Sequence, residues 1–179
     1  MRNFWMKLQR GSDRYSIPVF AFSAWSGTGK TTVIEKLISV FKERGLRVAV
    51  IKHDAHDFEI DTPGKDSWRF TNAGADITVI SSSAKTAVIE QRSLSLDEIL
   101  SGIYYADIIL VEGYNNEALP CIGISRAATG KGFRRPPDEY IALVTDEDLS
   151  DEYIHAAVFP LDDIQGLADF MLSFSRSSC

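Results

Sequence analysis

Cysteine is scarce in this 179-residue chain, which has only Cys121 and Cys179. Two such distant thiols make neither a disulfide framework nor a local zinc-ligand pair, so a reducing compartment is expected. No apolar run approaches the ~18 residues of a membrane span. The N-terminus lacks an uninterrupted apolar stretch before a small-residue cleavage site, because Arg10, Asp13 and Arg14 break it. The cytoplasm is the expected location, with no membrane partner. Excess positive charge is also missing: 19 Lys and Arg stand against 25 Asp and Glu, a formal charge of −6. That balance argues against a nucleic-acid partner, whose affinity would come from clustered cations.

What is present is ordinary globular material, 45% hydrophobic and 25% charged. The length suits about one domain. Residues 17–179 are expected to form it, with 1–16 as an extension of unassigned role. Residues 136–175 carry carboxylates from Asp138 to Asp169 and neither Lys nor Arg. The basic counterpart in the second half is the island Arg126 to Pro137, with Arg126, Lys131, Arg134 and Arg135, open to reading as a lid over phosphates, a partner-docking loop or a solvated connection.

Apolar periodicity alternates between continuous runs and 3.6-residue spacing, the pattern of an α/β domain with a mostly parallel sheet. Strands are expected at 17–22, 46–51, 108–111, 121–124 and 140–144. Val33, Ile34, Leu37, Ile38 and Phe41 mark a helix face that Gly45 stops. Thr62-Pro63 is expected to open a helix running to Gly74. The runs 77–80 and 86–89 predict an antiparallel edge ribbon, whose unpaired edges make it the expected pairing surface for a second copy. Ser95 and Glu98 have capping-box spacing. Asp162 is the expected cap of a last helix bearing Ile164, Leu167, Ala168, Met171 and Leu172.

The strongest chemical signal is Ala24-Trp25-Ser26-Gly27-Thr28-Gly29-Lys30-Thr31-Thr32, between the first strand and the first helix. Glycines there let backbone N–H groups approach phosphate oxygens, and the helix N-terminus adds donors and a favourable dipole. Lys30 is placed to reach the terminal phosphates, and the Thr31 hydroxyl to hold Mg²⁺. Ala24 stands where the usual pattern has glycine. Asp107 and Glu112 flank the run 108–111 about 16 Å apart, so they cannot share one ion. Glu112, followed by Gly113, is the better choice for the metal and the attacking water, and Asp107 is read as structural.

Lys52-His53-Asp54-Ala55-His56-Asp57 follows the second strand, and Asp61, Lys65 and Asp66 lie in the loop beyond. Asp61 is a candidate for the Mg²⁺ shell or for helix capping. His53, Lys65, Asp66, Arg134 and Arg135 are candidate contacts for a second anion or a partner. Asp146 stands where a guanine-reading carboxylate would sit, although the Asn-Lys-x-Asp signature is absent. Two other readings use the same loop. A small-molecule kinase would take Asp61, Asp66 or His53 as base, and a nucleotide-gated metal or oxyanion chaperone would hold cargo at His53 and His56 or at the basic island.

Read in order, residues 24–32, Ile-Lys-His-Asp-Ala-His (51–56), Asp-Thr-Pro-Gly-Lys-Asp-Ser (61–67), Ala-Gly-Ala (73–75) and Leu-Val-Glu-Gly-Tyr (110–114) resemble the molybdopterin-guanine dinucleotide biosynthesis protein B family, MobB. The resemblance covers roughly residues 17–175. It implies a P-loop NTPase-like three-layer fold and a homodimeric, GTP-binding protein with weak Mg²⁺-dependent GTPase activity. Such a protein assists the guanylyltransferase MobA. By that resemblance Ser26, Gly27, Thr28, Gly29, Lys30, Thr31 and Thr32 hold the phosphates, with Glu112 and Gly113 beside them and Lys30 and Glu112 as the catalytic pair.

Overall fold

The computed structural model describes residues 15–53, 58–153 and 155–176. The N-terminal extension up to residue 14, and with it most of the 1–16 segment, lies outside the described residues, as does His56. The chain forms two compact units. One comprises the described residues up to His53 together with those from Ile103 onward, and the other is Asp54–Gly102.

The larger unit is built on a six-stranded, all-parallel sheet. Its strands are β1 (Val19–Ser23), β2 (Val48–Lys52), β5 (Ile108–Glu112), β6 (Cys121–Ile124), β7 (Tyr140–Val144) and β8 (Ala157–Phe159), in the spatial order β2-β5-β1-β6-β7-β8. Continuous apolar runs become inner strands because both faces of a parallel sheet are buried. Phe20 and Phe22 of β1 and Leu110 of β5 pack with Val33, Leu37 and Phe41 of α1 (Lys30–Glu43) and Leu167 and Met171 of α4 (Ile164–Arg176). Val19, Ala21, Ile109 and Val111 alternate with these and are equally buried.

Arg44 fastens the two helices through Asp169 Oδ1 at 2.6 Å and Gln165 Oε1 at 2.7 Å. The expected cap of α4 moves by one residue. Asp163, not Asp162, receives the Gly166 N–H on its Oδ1 at 2.9 Å, the geometry that satisfies a first-turn donor. Strand β8, only three residues long, gave no periodic signal.

Asp107 confirms its structural reading. Its Oδ2 accepts from the Arg47 backbone N–H (2.7 Å) and Nε (3.0 Å), and its Oδ1 from Nη2 (2.6 Å). Arg47 also lies 4.5 Å over the Tyr105 ring. The Arg47 side chain and N–H hold the Asp107 carboxyl at about 2, well below its ordinary value. This ties the start of β5 to the start of β2, at the end of the sheet away from the phosphate loop.

The smaller unit holds α2 (Asp66–Asn72), the antiparallel ribbon β3 (Ile77–Ser81) and β4 (Thr86–Glu90), and α3 (Leu96–Gly102). The ribbon is a sheet of its own. Helix α2 begins later than Thr62-Pro63 suggested. Lys65 is its N-cap, and Thr62 to Lys65 form a turn closed by Lys65 N–H to Thr62 O at 3.2 Å. The capping box before α3 is present in both directions: Ser95 N–H donates to Glu98 Oε2 at 2.9 Å, and Glu98 N–H to Ser95 Oγ at 3.3 Å.

Candidate functional site

Parallel strands deliver their carboxyl ends to one edge of the sheet, where α/β proteins bind ligands. Here β1 runs into the loop 24–29, and α1 starts directly after it. Gly27 and Gly29 have φ of +84° and +94°, the left-handed region that an L side chain rarely adopts. Gly29 is the N-cap of α1 and makes no side-chain cap, so the first-turn N–H groups stay open to an external acceptor. Ala24 is buried with ordinary φ, so its methyl group belongs to the core and not to the loop's concave side. Thr28 is buried and turns its hydroxyl onto the Trp25 carbonyl, so it closes the loop with its side chain. Ser26, Thr31 and Thr32 are exposed.

Lys30 and Glu112 meet across this edge, Nζ to Oε1 at 3.2 Å, both about four-fifths buried. Glu112 is the last residue of β5, adjacent to β1 and paired in register with Phe22. The next residue explains how the chain turns there. Gly113 has φ +95°, and a β-carbon on it would stand 2.7 Å from His53 Cβ and 2.9 Å from the His53 carbonyl oxygen. Only glycine fits, and the close approach lets the His53 N–H donate to Glu112 O at 2.8 Å. Tyr114 follows with φ +46°, its ring 4.4 Å from that of His53. Burial pushes the Tyr114 phenol above its ordinary value.

The basic island sits against the same loop. Segment 126–135 leaves the end of β6, and Asp146 Oδ1, beyond the end of β7, accepts the Ala127 N–H at 2.7 Å. Arg126 brings Nη2 to 3.3 Å from the place a β-carbon on Gly29 would take. Lys131 Nζ donates to Ser26 O at 2.8 Å, and Arg134 lies 5.6 Å over the Trp25 ring. Arg135 is held differently. It is 8% exposed, pairs with Glu139 at 3.5 Å, and reaches the Tyr114 carbonyl at 3.5 Å. A guanidinium so enclosed is a strut between two loops. Arg126 and Lys131 were read from the sequence only as members of the basic island, with no individual contact assigned to either. The available signal was that Arg126 comes two residues after the apolar run 121–124, so it must emerge at the same edge as Lys30.

Asp61, Lys65 and Asp66 belong to the smaller unit. Asp61 Oδ1 accepts the Thr62 N–H at 2.7 Å, and its Oδ2 is buried without a hydrogen-bond partner among the described residues. Lys65 caps α2, and Asp66 pairs with Arg69 at 3.5 Å. Among the described residues no group of three or more His, Cys, Asp or Glu is placed to hold a metal ion. The donors at the loop fit a different ion: one hydroxyl, Thr31, and one carboxylate, Glu112, suit Mg²⁺, which binds through few protein ligands and substrate phosphates.

Comparison with known proteins agrees with this architecture. Residues 19–146 match the family described as molybdopterin guanine dinucleotide synthesis protein B. The chain is 37% identical over 171 residues to the molybdopterin-guanine dinucleotide biosynthesis adapter protein of Escherichia coli (strain K12), covering 89% of this chain and 94% of that one. The adapter protein of Haemophilus influenzae is 32% identical over 159 residues, 87% of this chain and 88% of the relative. The crystal structure of Bacillus subtilis MobB superposes with a TM-score of 0.70 at 25% identity, over 88% of this chain and 97% of that one. The fold is that of the P-loop NTPases, and the chain belongs to the MobB family.

Proposed function

We propose that the chain is an adapter in molybdopterin-guanine dinucleotide biosynthesis that binds GTP with Mg²⁺ at residues 26–32, hydrolyses it slowly, and assists the guanylyltransferase MobA. The observation that carries this reading is the loop with open N–H donors at Gly29 and with Lys30 3.2 Å from Glu112. Anions are stabilised at such a helix start by converging N–H groups, the helix dipole and the lysine. Thr31 and Glu112 would hold Mg²⁺, and the ion would neutralise charge between the phosphates. Glu112 is engaged by Lys30, so the phosphates must draw Lys30 away before the carboxylate can serve the ion or a water. Weak turnover follows where water-orienting and charge-stabilising groups are not all in place, a deficit of ~10³–10⁵ in rate.

The adapter role rests on the family, whose named relatives are adapter proteins matched over most of their length. Guanine reading is assigned to Asp146, whose Oδ2 remains for the base while Oδ1 holds Ala127. The homodimer is assigned to the ribbon β3-β4, where Ile77, Val79, Ile80 and Val88 are exposed. A cytoplasmic location agrees with the two cysteines, Cys121 being buried with its thiol pushed up to about 12. No helix among the described residues is long and apolar enough to cross a membrane.

Calorimetry with GTP and ATP, with and without Mg²⁺, tests the reading. GTP binds more tightly than ATP and requires Mg²⁺ for full affinity. Lys30→Ala weakens it about 10- to 100-fold, the loss of a charge-assisted contact. Equal affinity for GTP in a folded Lys30→Ala variant removes the assignment.

A further inference from the structure

Among the arginines whose side chains are described, Arg44, Arg47, Arg69, Arg92 and Arg135 each pair with a carboxylate. Arg126 and Arg134 have no carboxylate partner among the described residues, and neither has Lys131. All three lie on one segment, and all three face the phosphate loop. In a chain of net charge −6, three uncompensated cations gathered at one loop mark a place that receives negative charge from outside.

Their resting contacts are weak ones. Lys131 spends its ammonium on the Ser26 carbonyl, a neutral acceptor belonging to the loop itself. A phosphate oxygen is the stronger acceptor, because it adds the attraction of opposite charges to the hydrogen bond, which a neutral carbonyl does not. Arg126 lies beside Gly29, the residue whose open cap starts α1, so an anion seated on the first-turn N–H groups comes within reach of its guanidinium fork. The root of the segment is fixed, since Asp146 holds Ala127 next to Arg126.

We infer that Arg126 and Lys131 are phosphate ligands of the nucleotide site, supplied by segment 126–135 of the same chain, and that this segment closes over the phosphate chain when nucleotide binds. The inference rests on the nucleotide-binding reading above and adds two residues to the site. Arg134 takes a different part: stacked on Trp25, it steadies the far end of the segment. Charge on the ligand is then what the segment responds to, so the contribution of Arg126 and Lys131 rises from mono- to di- to triphosphate.

The test is calorimetry on the full chain with Mg²⁺ and GMP, GDP and a non-hydrolysable GTP analogue, using Arg126→Ala, Arg126→Lys, Lys131→Ala and Lys30→Ala. Arg126→Ala and Lys131→Ala each weaken the triphosphate analogue about 10- to 100-fold and GMP less than about threefold, and Arg126→Lys recovers part of the loss. Trypsin cleavage after Lys131 in the wild-type chain is slowed by the analogue. Because both side chains are exposed, thermal melting of the variants stays with the wild type. Affinity within twofold of wild type in both alanine variants overturns the inference and leaves the nucleotide reading standing, and the cations then serve another ligand. A loss equal for GMP and the analogue overturns it too, by showing a structural role. If the wild-type chain binds none of the nucleotides and Lys30→Ala is indistinguishable from it, the nucleotide reading itself fails.

Discussion

Gly113→Ala perturbs the point where the site and the sheet depend on each other. Two costs add. An alanine at φ +95° carries left-handed strain of about 1–2 kcal/mol. Its β-carbon would also stand 2.7 Å from His53 Cβ, 2.9 Å from the His53 carbonyl oxygen and 3.3 Å from His53 Cα. Most of those atoms are backbone at the end of β2, and relieving such an overlap costs about 1–3 kcal/mol. The sum is about 2–5 kcal/mol, which for a chain of this length lowers the melting temperature by about 4–20 °C. Gly45→Ala is the internal control, since φ is +78° there and nothing lies within 4 Å of the added carbon. It carries strain alone, about 2–8 °C. Differential scanning calorimetry of both variants separates the steric cost from the conformational one. Equal shifts in the two would refute the claim that β5 passes too close to His53 for any side chain. The same variant displaces Glu112 from Lys30, so its nucleotide affinity falls even at temperatures where it is folded.

Two further substitutions probe the frame. The Asp107 carboxyl is depressed in the folded chain from 3.8 to about 2, so the stabilisation it gives is complete above about pH 4 and is lost as pH falls through about 2. The melting temperatures of wild type and Asp107→Asn therefore differ by a constant amount above pH 4 and converge toward pH 2; a gap unchanged at pH 2 contradicts the Arg47 pairing. At the last helix, Asp163→Ala removes the acceptor for the Gly166 N–H and costs about 1 kcal/mol in urea denaturation. Asp162→Ala, one residue earlier, costs less than half of that, and the reverse order would restore Asp162 as the cap.

Legibility in the sequence followed the range of the interaction. The strands at 108–111 and 140–144 could be read because burial on both faces of a parallel sheet writes an unbroken apolar run. The capping box at Ser95 and Glu98 could be read because all its atoms lie within one turn. The start of α2 was misplaced because Thr62-Pro63 carries a helix-start signature while Gly64, at φ +85°, turns the chain out of the helical region before Asp66. Strand β8 was missed because three residues are too few to show a period.

At the site, the loop 24–32 and Glu112 were legible because each sits at the end of an apolar run, and parallel topology sends those ends to one edge. Arg126, Lys131 and Arg135 differ in surroundings for a reason no local pattern contains. All are cations of one island, yet Arg135 falls beside Glu139 and the Tyr114 carbonyl, whereas Arg126 and Lys131 fall beside Gly29 and Ser26. By itself the sequence determined the class of fold, the phosphate loop and the family, since these are written in periodicity and short spacings. Only the tertiary structure decided which cations face the loop, that Lys30 rests on Glu112, and that Gly113 must be glycine. Each of those depends on contact between residues distant along the chain, and such contacts exist only once the strands have taken their order in the sheet.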